Sequence, residues 1–530
     1  MSELPRHSEG GVQTPAELRE ADEVGMVLAY WASRFPNVTA LRSPGGDRTF
    51  AQLNARANRL ASALRASGLR SGDALALLCG NRPEFVEVAF ACTRIGVRYT
   101  PINWHLAPDE VAYIVGDCDA QAVIAEGRFA PLLARLSGPP RTGLLIGEAP
   151  EGSDAGFDDY ETALEAGSEA NIDAPEAGAF MLYTSGTTGY PKGVAKPPLT
   201  RRVLEKRLTY KAANYRSGGS DTHLCTGPLY HAAPLSISLF MPLLDGASVC
   251  VMDKWDAQRA LELMTRHSVT HSHMVPTMFH RLLRLPAEQR QRLKPPVLRH
   301  VIHGAAPCPV ATKHAMMDWL GPVIWEYYAA TEGSGTVVGP QDWLARPGTV
   351  GKPSTEDHIR ILSEDRQPVP RGEAGTIYLR LVDGAEFHYH KAPDKTAGSR
   401  HGSHYTLGDV GYLDEDGYLF LTDRSANLII SGGVNIYPAE VEAVILQHPA
   451  VLDVGVIGVP NEEWGEEVKA VVEVVEGSDA TEALAVDIVA YARQRLAHFK
   501  CPRTVDFVDS LPRHDNGKLY KRRLREAYRG

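Results

Sequence analysis

The chain has 530 residues with 44% hydrophobic and 23% charged side chains, which leaves room for roughly two to four packed structural units. A formal net charge of −10 argues against a general nucleic-acid binder, although the C-terminal end is locally basic at Lys518, Lys521, Arg522, Arg523 and Arg525. Seven cysteines without CxxC spacing suggest neither a disulfide framework nor a zinc site, and they fit a reducing cytoplasm.

Met1 to Gly11 is polar and carries both charges, so it is no secretory signal, and residues 1–20 read as a loose tail. A helical pattern follows at Phe50, Leu53, Ala57, Leu60 and Leu64, ending at Gly68. After a Gly72-Asp73 turn come a buried strand from Ala74 to Cys79, a helix over 83–95 and an apolar run from Val97 to Ile102. That alternation predicts parallel sheet layers. The Gly-, Ala-, Pro-, Glu- and Asp-rich stretch 137–177 reads as loop, and Ala179 to Leu182 as a short buried strand. The longest apolar stretch, Leu235 to Leu244, stops at Asp245 and is too short to span a bilayer, so no integral membrane segment is expected.

From Gly372 onward short β-like runs dominate: Thr376 to Leu381, Tyr418 to Thr422 and Leu428 to Ile430, with turns at Asp383-Gly384 and Asp416-Gly417. A compact set ends the chain: helix 438–447, strands Val451 to Val459 and Glu467 to Val475, and helix 481–496. A boundary near Asp423 to Asn427 divides a large N-terminal domain from a C-terminal one of about 100 residues, a size able to fold alone.

The most specific motif is Tyr183-Thr184-Ser185-Gly186-Thr187-Thr188-Gly189-Tyr190-Pro191-Lys192-Gly193. Hydroxyl residues between glycines let the backbone bend into a ring of N–H and O–H donors around an anion, and Lys192 adds a full positive charge. A Walker A loop would end in Gly-Lys-Ser/Thr and start a helix, whereas Pro191-Lys192-Gly193 favours an exit into another strand. The motif resembles the signature loop of the adenylate-forming superfamily, which includes acyl-CoA synthetases, peptide-synthetase adenylation domains and beetle luciferases.

Other segments carry the same resemblance in order. Gly304-Ala305-Ala306-Pro307 is similar to the loop bordering adenine, and Trp325 to Gly333 to the stretch that stacks the base, binds the α-phosphate and holds magnesium. Tyr328 would stack the base, Thr331 would contact phosphate and Glu332 would ligate Mg²⁺, with Ala329 replacing the family's usual glycine. Asp409, in Tyr405 to Tyr412, would accept from both ribose hydroxyls, and Arg424 would add a ribose or phosphate contact. Gly432 and Gly433 belong to a loop like that lining the pantetheine tunnel of coenzyme A. The hinge pivot, usually Asp or Lys, falls on Ala426. Lys518, in Pro512 to Leu519, matches the lysine that bridges substrate carboxylate and ATP phosphate.

What the resemblance implies is an α/β fold: a large multi-subdomain N-terminal AMP-binding domain (1–423) with parallel and mixed sheets, a hinge (424–428), and a small α+β mobile domain (429–530). Thr184, Ser185, Gly186, Thr187, Thr188, Gly189 and Lys192 would hold the phosphates of ATP. Amino-acid-activating relatives place an aspartate where this chain has His231, so an ammonium group would find no counter-charge there. Apolar residues nearby (Leu235, Ile237, Leu239, Phe240, Val275, Met278, Phe279) suit a fatty or cyclic hydrophobic acid, selected by burial at roughly 0.8 kcal/mol per CH₂. The expected activity is acyl-CoA synthesis in the cytoplasm from a carboxylic acid, ATP, Mg²⁺ and coenzyme A, through acyl-AMP. The resemblance also allows a homodimer. Two alternatives stand beside it: an enzyme efficient in one half-reaction only, and a nucleotide- or CoA-binding protein without chemistry.

Overall fold

A computed structural model describes residues 15–151, 156–184, 191–206, 212–382, 386–424, 427–431, 434–461, 464–513 and 517–528. The chain forms two compact units. Unit 1 comprises 1–206, 215–221 and 239–253; unit 2 comprises 207–214, 222–238 and 254–530.

Unit 1 contains a five-stranded, wholly parallel sheet in the order Arg98–Pro101, Ala74–Leu78, Ala120–Glu126, Thr142–Ile146, Asp158–Asp159. Every residue of Ala74–Leu78 is buried, as expected where helices cover both faces of a parallel sheet. Phe50–Ala66 forms the predicted helix. It starts at a capping box in which the Thr49 hydroxyl accepts from Gln52 N and the Gln52 side chain accepts from Thr49 N. Pro83–Thr93 is the second expected helix, nearly all of it buried.

Three expectations change in unit 1. The N-terminal tail already turns helical at Ala16–Glu23, where Pro15 sets the entry and Leu18 supplies a buried anchor. Stretch 137–177 contains the strand Thr142–Ile146 and the helix Tyr160–Ala166. The Asp159 side chain caps this helix by accepting from Thr162 N, and Tyr160 and Leu164 bury its inner face. The Gly-, Pro- and acid-rich residues around them hid both elements. The strand expected over Ala179 to Leu182 begins only at Leu182; before it, Ala179 and Met181 exchange backbone bonds with Tyr99 on the parallel sheet.

In unit 2, Thr222–Cys225, His271–Met274, His300–His303 and Ile324–Ala329 run parallel side by side, and Ser334–Val338 adds an antiparallel edge. An antiparallel sheet follows in the order Thr349–Gly351, Leu419–Arg424, His404–Leu413, Gly375–Arg380, Ile359–Leu362. The C-terminal sheet orders Val434–Ile436, Ile429–Ser431, Gly465–Val474 and Val451–Asn461, with Thr504–Phe507 parallel to Gly465–Val474. Helices Pro438–Ile445 and Glu482–Arg493 bury Val441, Ile445, Ile488 and Ala492 in the core beneath it. The fold is therefore α/β with parallel and mixed sheets and a smaller α+β C-terminal part, as the sequence implied. No helix among the described residues is long and apolar enough to cross a membrane.

Candidate active site

In unit 1, strand Leu182–Thr184 pairs antiparallel with Lys192–Ala195, and Thr184 lies opposite Lys192. The two described ends of the candidate phosphate loop therefore meet across a hairpin, and Lys192 leads into a strand as its proline predicted. Ser185, Gly186, Thr187, Thr188 and Gly189 lie outside the described residues. Beside Thr184, the Tyr183 hydroxyl donates to Asp117 Oδ2 at 2.6 Å. Burial and that carboxylate push the phenol well above its ordinary value, so it stays a donor.

Unit 2 carries most of the remaining candidates, and sheet direction gathers them. The four parallel strands end at Cys225, Met274, His303 and Ala329. Just past those ends lie His231, Val275, the Gly304–Ala306 loop, and Thr331 with Glu332. Carboxyl ends of parallel strands are where open α/β sheets bind ligands, because chain reversals leave backbone groups and side chains facing one crevice.

Individual contacts refine that placement. The Tyr328 hydroxyl donates to Asp409 Oδ2 at 2.7 Å, and Asp409 is 8% exposed. Asp409 lies opposite Arg424 in the antiparallel pair, the hairpin register that the Asp416-Gly417 turn suggested; the Arg424 side chain is outside the described residues. Glu332 is buried and accepts from the Tyr389 hydroxyl at 2.9 Å. Thr331 beside it is half-buried. At Gly304 a Cβ would stand 2.6 Å from the Tyr327 ring, so only glycine permits that approach, and Ala305 takes a left-handed φ of 68°.

The Lys518 segment is fixed by Arg513, which grips both Asp453 oxygens and donates to Gly517 O at 2.7 Å. Gly517 has a φ of 78° and packs so close to Thr277 and Val275 that a Cβ would lie 2.6 Å from Thr277 Oγ1. Lys518 thus follows a turn seated where strand His271–Met274 gives way to helix Pro276–Leu283. His231 is half-buried with its ring 4.6 Å from that of Tyr230. Among the apolar residues read as an acyl wall, Phe240 packs on Phe90 and Phe180 in unit 1, whereas Phe279 lies edge-on to His303 in unit 2. Ala426, Gly432 and Gly433 lie outside the described residues.

Sequence reasoning missed Tyr389, whose only signal was the aromatic run Phe387-His388-Tyr389. It also missed a fully buried Lys313, whose Nζ donates to Glu326 Oε2 at 2.6 Å. No group of three or more His, Cys, Asp or Glu among the described residues is arranged to hold a metal. A single carboxylate such as Glu332 suits an ion that takes most of its oxygens from substrate phosphates and water, the usual habit of Mg²⁺.

Strand-end geometry, a tyrosine paired with a buried aspartate, and a lysine turn docked against the sheet define a nucleotide-using α/β enzyme. The chain belongs to the AMP-binding enzyme family: that family's model matches residues 28–383, and the model of the AMP-binding enzyme C-terminal domain matches 440–518. It is 33% identical over 516 residues to the long-chain-fatty-acid–CoA ligase FadD13 of Mycobacterium tuberculosis, covering 95% of this chain and 98% of that one. It is 34% identical over 500 residues to the feruloyl-CoA synthase of an Amycolatopsis species, covering 93% and 96%. Among solved structures, an anthranilate CoA ligase in complex with anthranoyl-AMP superposes with a TM-score of 0.83 at 27% identity, covering 96% of this chain and 97% of that one.

Proposed function

We propose that the chain is an AMP-forming acid–CoA ligase that activates a hydrophobic, fatty or cyclic carboxylic acid. One observation carries the reading: the carboxyl ends of adjacent parallel strands bring the Gly304–Ala306 loop, Tyr328 with Asp409, and the Lys518 turn to the same edge of one sheet. Both family models match in order along the same chain, which supports it further.

In this reading Tyr328 stacks the adenine against the Gly304–Ala306 loop, and Asp409, with Arg424, receives the ribose. Thr184, Ser185, Gly186, Thr187, Thr188, Gly189 and Lys192 take the phosphates. The acid's carboxylate oxygen displaces pyrophosphate at the α-phosphorus, and Lys518 and Thr331 stabilise the negative charge that develops there. Glu332 holds Mg²⁺, which would supply Lewis-acid charge at the phosphoryl oxygens. His231 stands at the entrance of the acid. The coenzyme A thiol then attacks the acyl carbonyl and AMP leaves, with Gly432 and Gly433 lining the thiol's path after domain 429–530 turns on a hinge at 424–428 relative to 1–423. Seven free cysteines, six of them buried, support a reducing cytoplasmic setting.

A panel of fatty, aryl and alicyclic acids assayed for AMP release, with and without coenzyme A, tests the proposal. Pyrophosphate should appear only with a hydrophobic acid, and AMP with a thioester only when coenzyme A is also present. Formation of ADP, or AMP release indifferent to the acid, would rule the assignment out.

A further inference from the structure

Lys313 is completely buried, and its ammonium group lies 2.6 Å from Glu326 Oε2 and 4.5 Å from the centre of the Trp343 ring. The same carboxylate oxygen is 3.5 Å from His303 Nε2, and His303 is also wholly buried, edge-on to Phe279. Burying such an ion pair costs several kcal/mol of desolvation per ion, so it is a poor device for stability alone. Burial pushes Lys313 down and Glu326 up from their ordinary values, and their mutual attraction opposes both shifts. Burial, then the neighbouring Lys313 charge, holds His303 neutral.

Placement in the chain gives the cluster a use. His303 is the residue before Gly304. Lys313 lies in the first turns of helix Val310–Leu320, which opens a few residues beyond Ala306. Glu326 stands two residues before Tyr328 on the same strand, hence on the same face. The Lys313–Glu326 pair therefore ties the far end of the loop to the strand that carries Tyr328, while the neutral His303 ring at the near end packs beside the same carboxylate without a hydrogen bond to it. The loop needs such ties: Ala305 is held at a φ of 68°, a conformation that persists only where the surroundings over-determine it.

We propose that Lys313 and Glu326 are positioning residues that clasp the Gly304–Ala306 loop to the Tyr328 strand and so pre-form the adenine-binding surface. This rests on the nucleotide-binding reading of those residues. AMP binding by the full-length protein, followed calorimetrically beside its thermal midpoint, tests it. If the unaltered protein binds no AMP, the nucleotide reading itself fails; the clasp is judged only against a protein that binds.

Lys313→Met strands Glu326 and should lower the midpoint and weaken AMP binding about tenfold or more. The double variant Lys313→Met/Glu326→Leu removes both charges; its midpoint should recover while AMP binding stays about tenfold weaker, because apolar contacts replace the burial but not the directional tie. Recovery of both quantities would make the pair a packing feature and overturn the proposal. Should the double variant not fold, Lys313→Gln/Glu326→Gln decides: the two amides can keep a hydrogen bond without charge, and AMP binding should stay within about threefold of the parent's. A tenfold loss of AMP binding in that folded amide pair would equally overturn it. In turnover, KM for ATP should rise in the folded Lys313→Met variants while KM for the acid stays put.

Discussion

Tyr389 shows how a single hydroxyl can set a site's geometry. Its donation to Glu332 Oε1 fixes the direction of the carboxylate's remaining lone pairs, and burial followed by that carboxylate keeps the phenol protonated well above its ordinary range. If Glu332 holds Mg²⁺ as proposed, Tyr389→Phe should lower acid-dependent AMP release by about tenfold or more without moving the thermal midpoint, the usual result of losing an outer partner of a metal ligand. On the proposed mechanism, in which the Lys518 charge acts on the developing transition state, Lys518→Ala should cut AMP formation about a hundredfold or more while leaving AMP binding intact; equal losses of binding and rate would assign it to binding instead. Lys518, Asp409, Glu332 and Tyr328 could be proposed from the sequence because each sits in a motif whose residue types match the chemistry that the resemblance implies. Tyr389 and Lys313 could not, because each is marked only by a partner that folding brings near.

At the scale of elements, turns and caps decide what a linear reading sees. The Phe50–Ala66 helix announces itself by apolar spacing and a Thr-x-x-Gln box, whereas Tyr160–Ala166 is a helix of about two turns hidden in acidic, Gly-rich surroundings. The Lys518 turn depends on Gly517, whose left-handed φ and contact with Thr277 leave no room for a side chain. Gly517→Ala should depress AMP formation about tenfold or more with the C-terminal fold retained by circular dichroism. In the first helix, burial raises the Asp22 carboxyl from 3.8 to about 6 while it accepts from Arg201 N. A carboxyl raised in the folded state destabilises above its folded pKa, and the penalty fades as pH falls through 6 toward 4. Asp22→Asn can still accept from Arg201 N without the charge. Urea unfolding should therefore show it more stable than the parent at pH 8, by up to about 3 kcal/mol, with the difference shrinking by pH 5.

Across the whole molecule, charge burial predicts a second pH response of opposite sign. Burial pushes His273 and His280 down to about 4 and His300 down to about 3, all of them in unit 2. The unfolded chain binds protons at these residues first, so the stability they contribute is whole above the ordinary histidine value and is lost as pH falls from about 6.5 toward 4. Calorimetry in that window should record a falling midpoint, and exchanging His300 for Phe should flatten the fall. The sequence made the α/β class and the smaller C-terminal part readable, because period and motif order survive without coordinates. It could not show which histidines would lie side by side in neighbouring parallel strands.

The central claim is that a carboxylate oxygen of the acid becomes bonded to the α-phosphorus of ATP. Turnover of a hydrophobic acid labelled with ¹⁸O in both carboxylate positions, followed by mass spectrometry of the phosphate products, tests it most directly. One labelled oxygen should appear in AMP and none in pyrophosphate, since thiol attack on the acyl carbonyl leaves that oxygen on phosphorus. Unlabelled AMP, or label carried into pyrophosphate, would contradict the account.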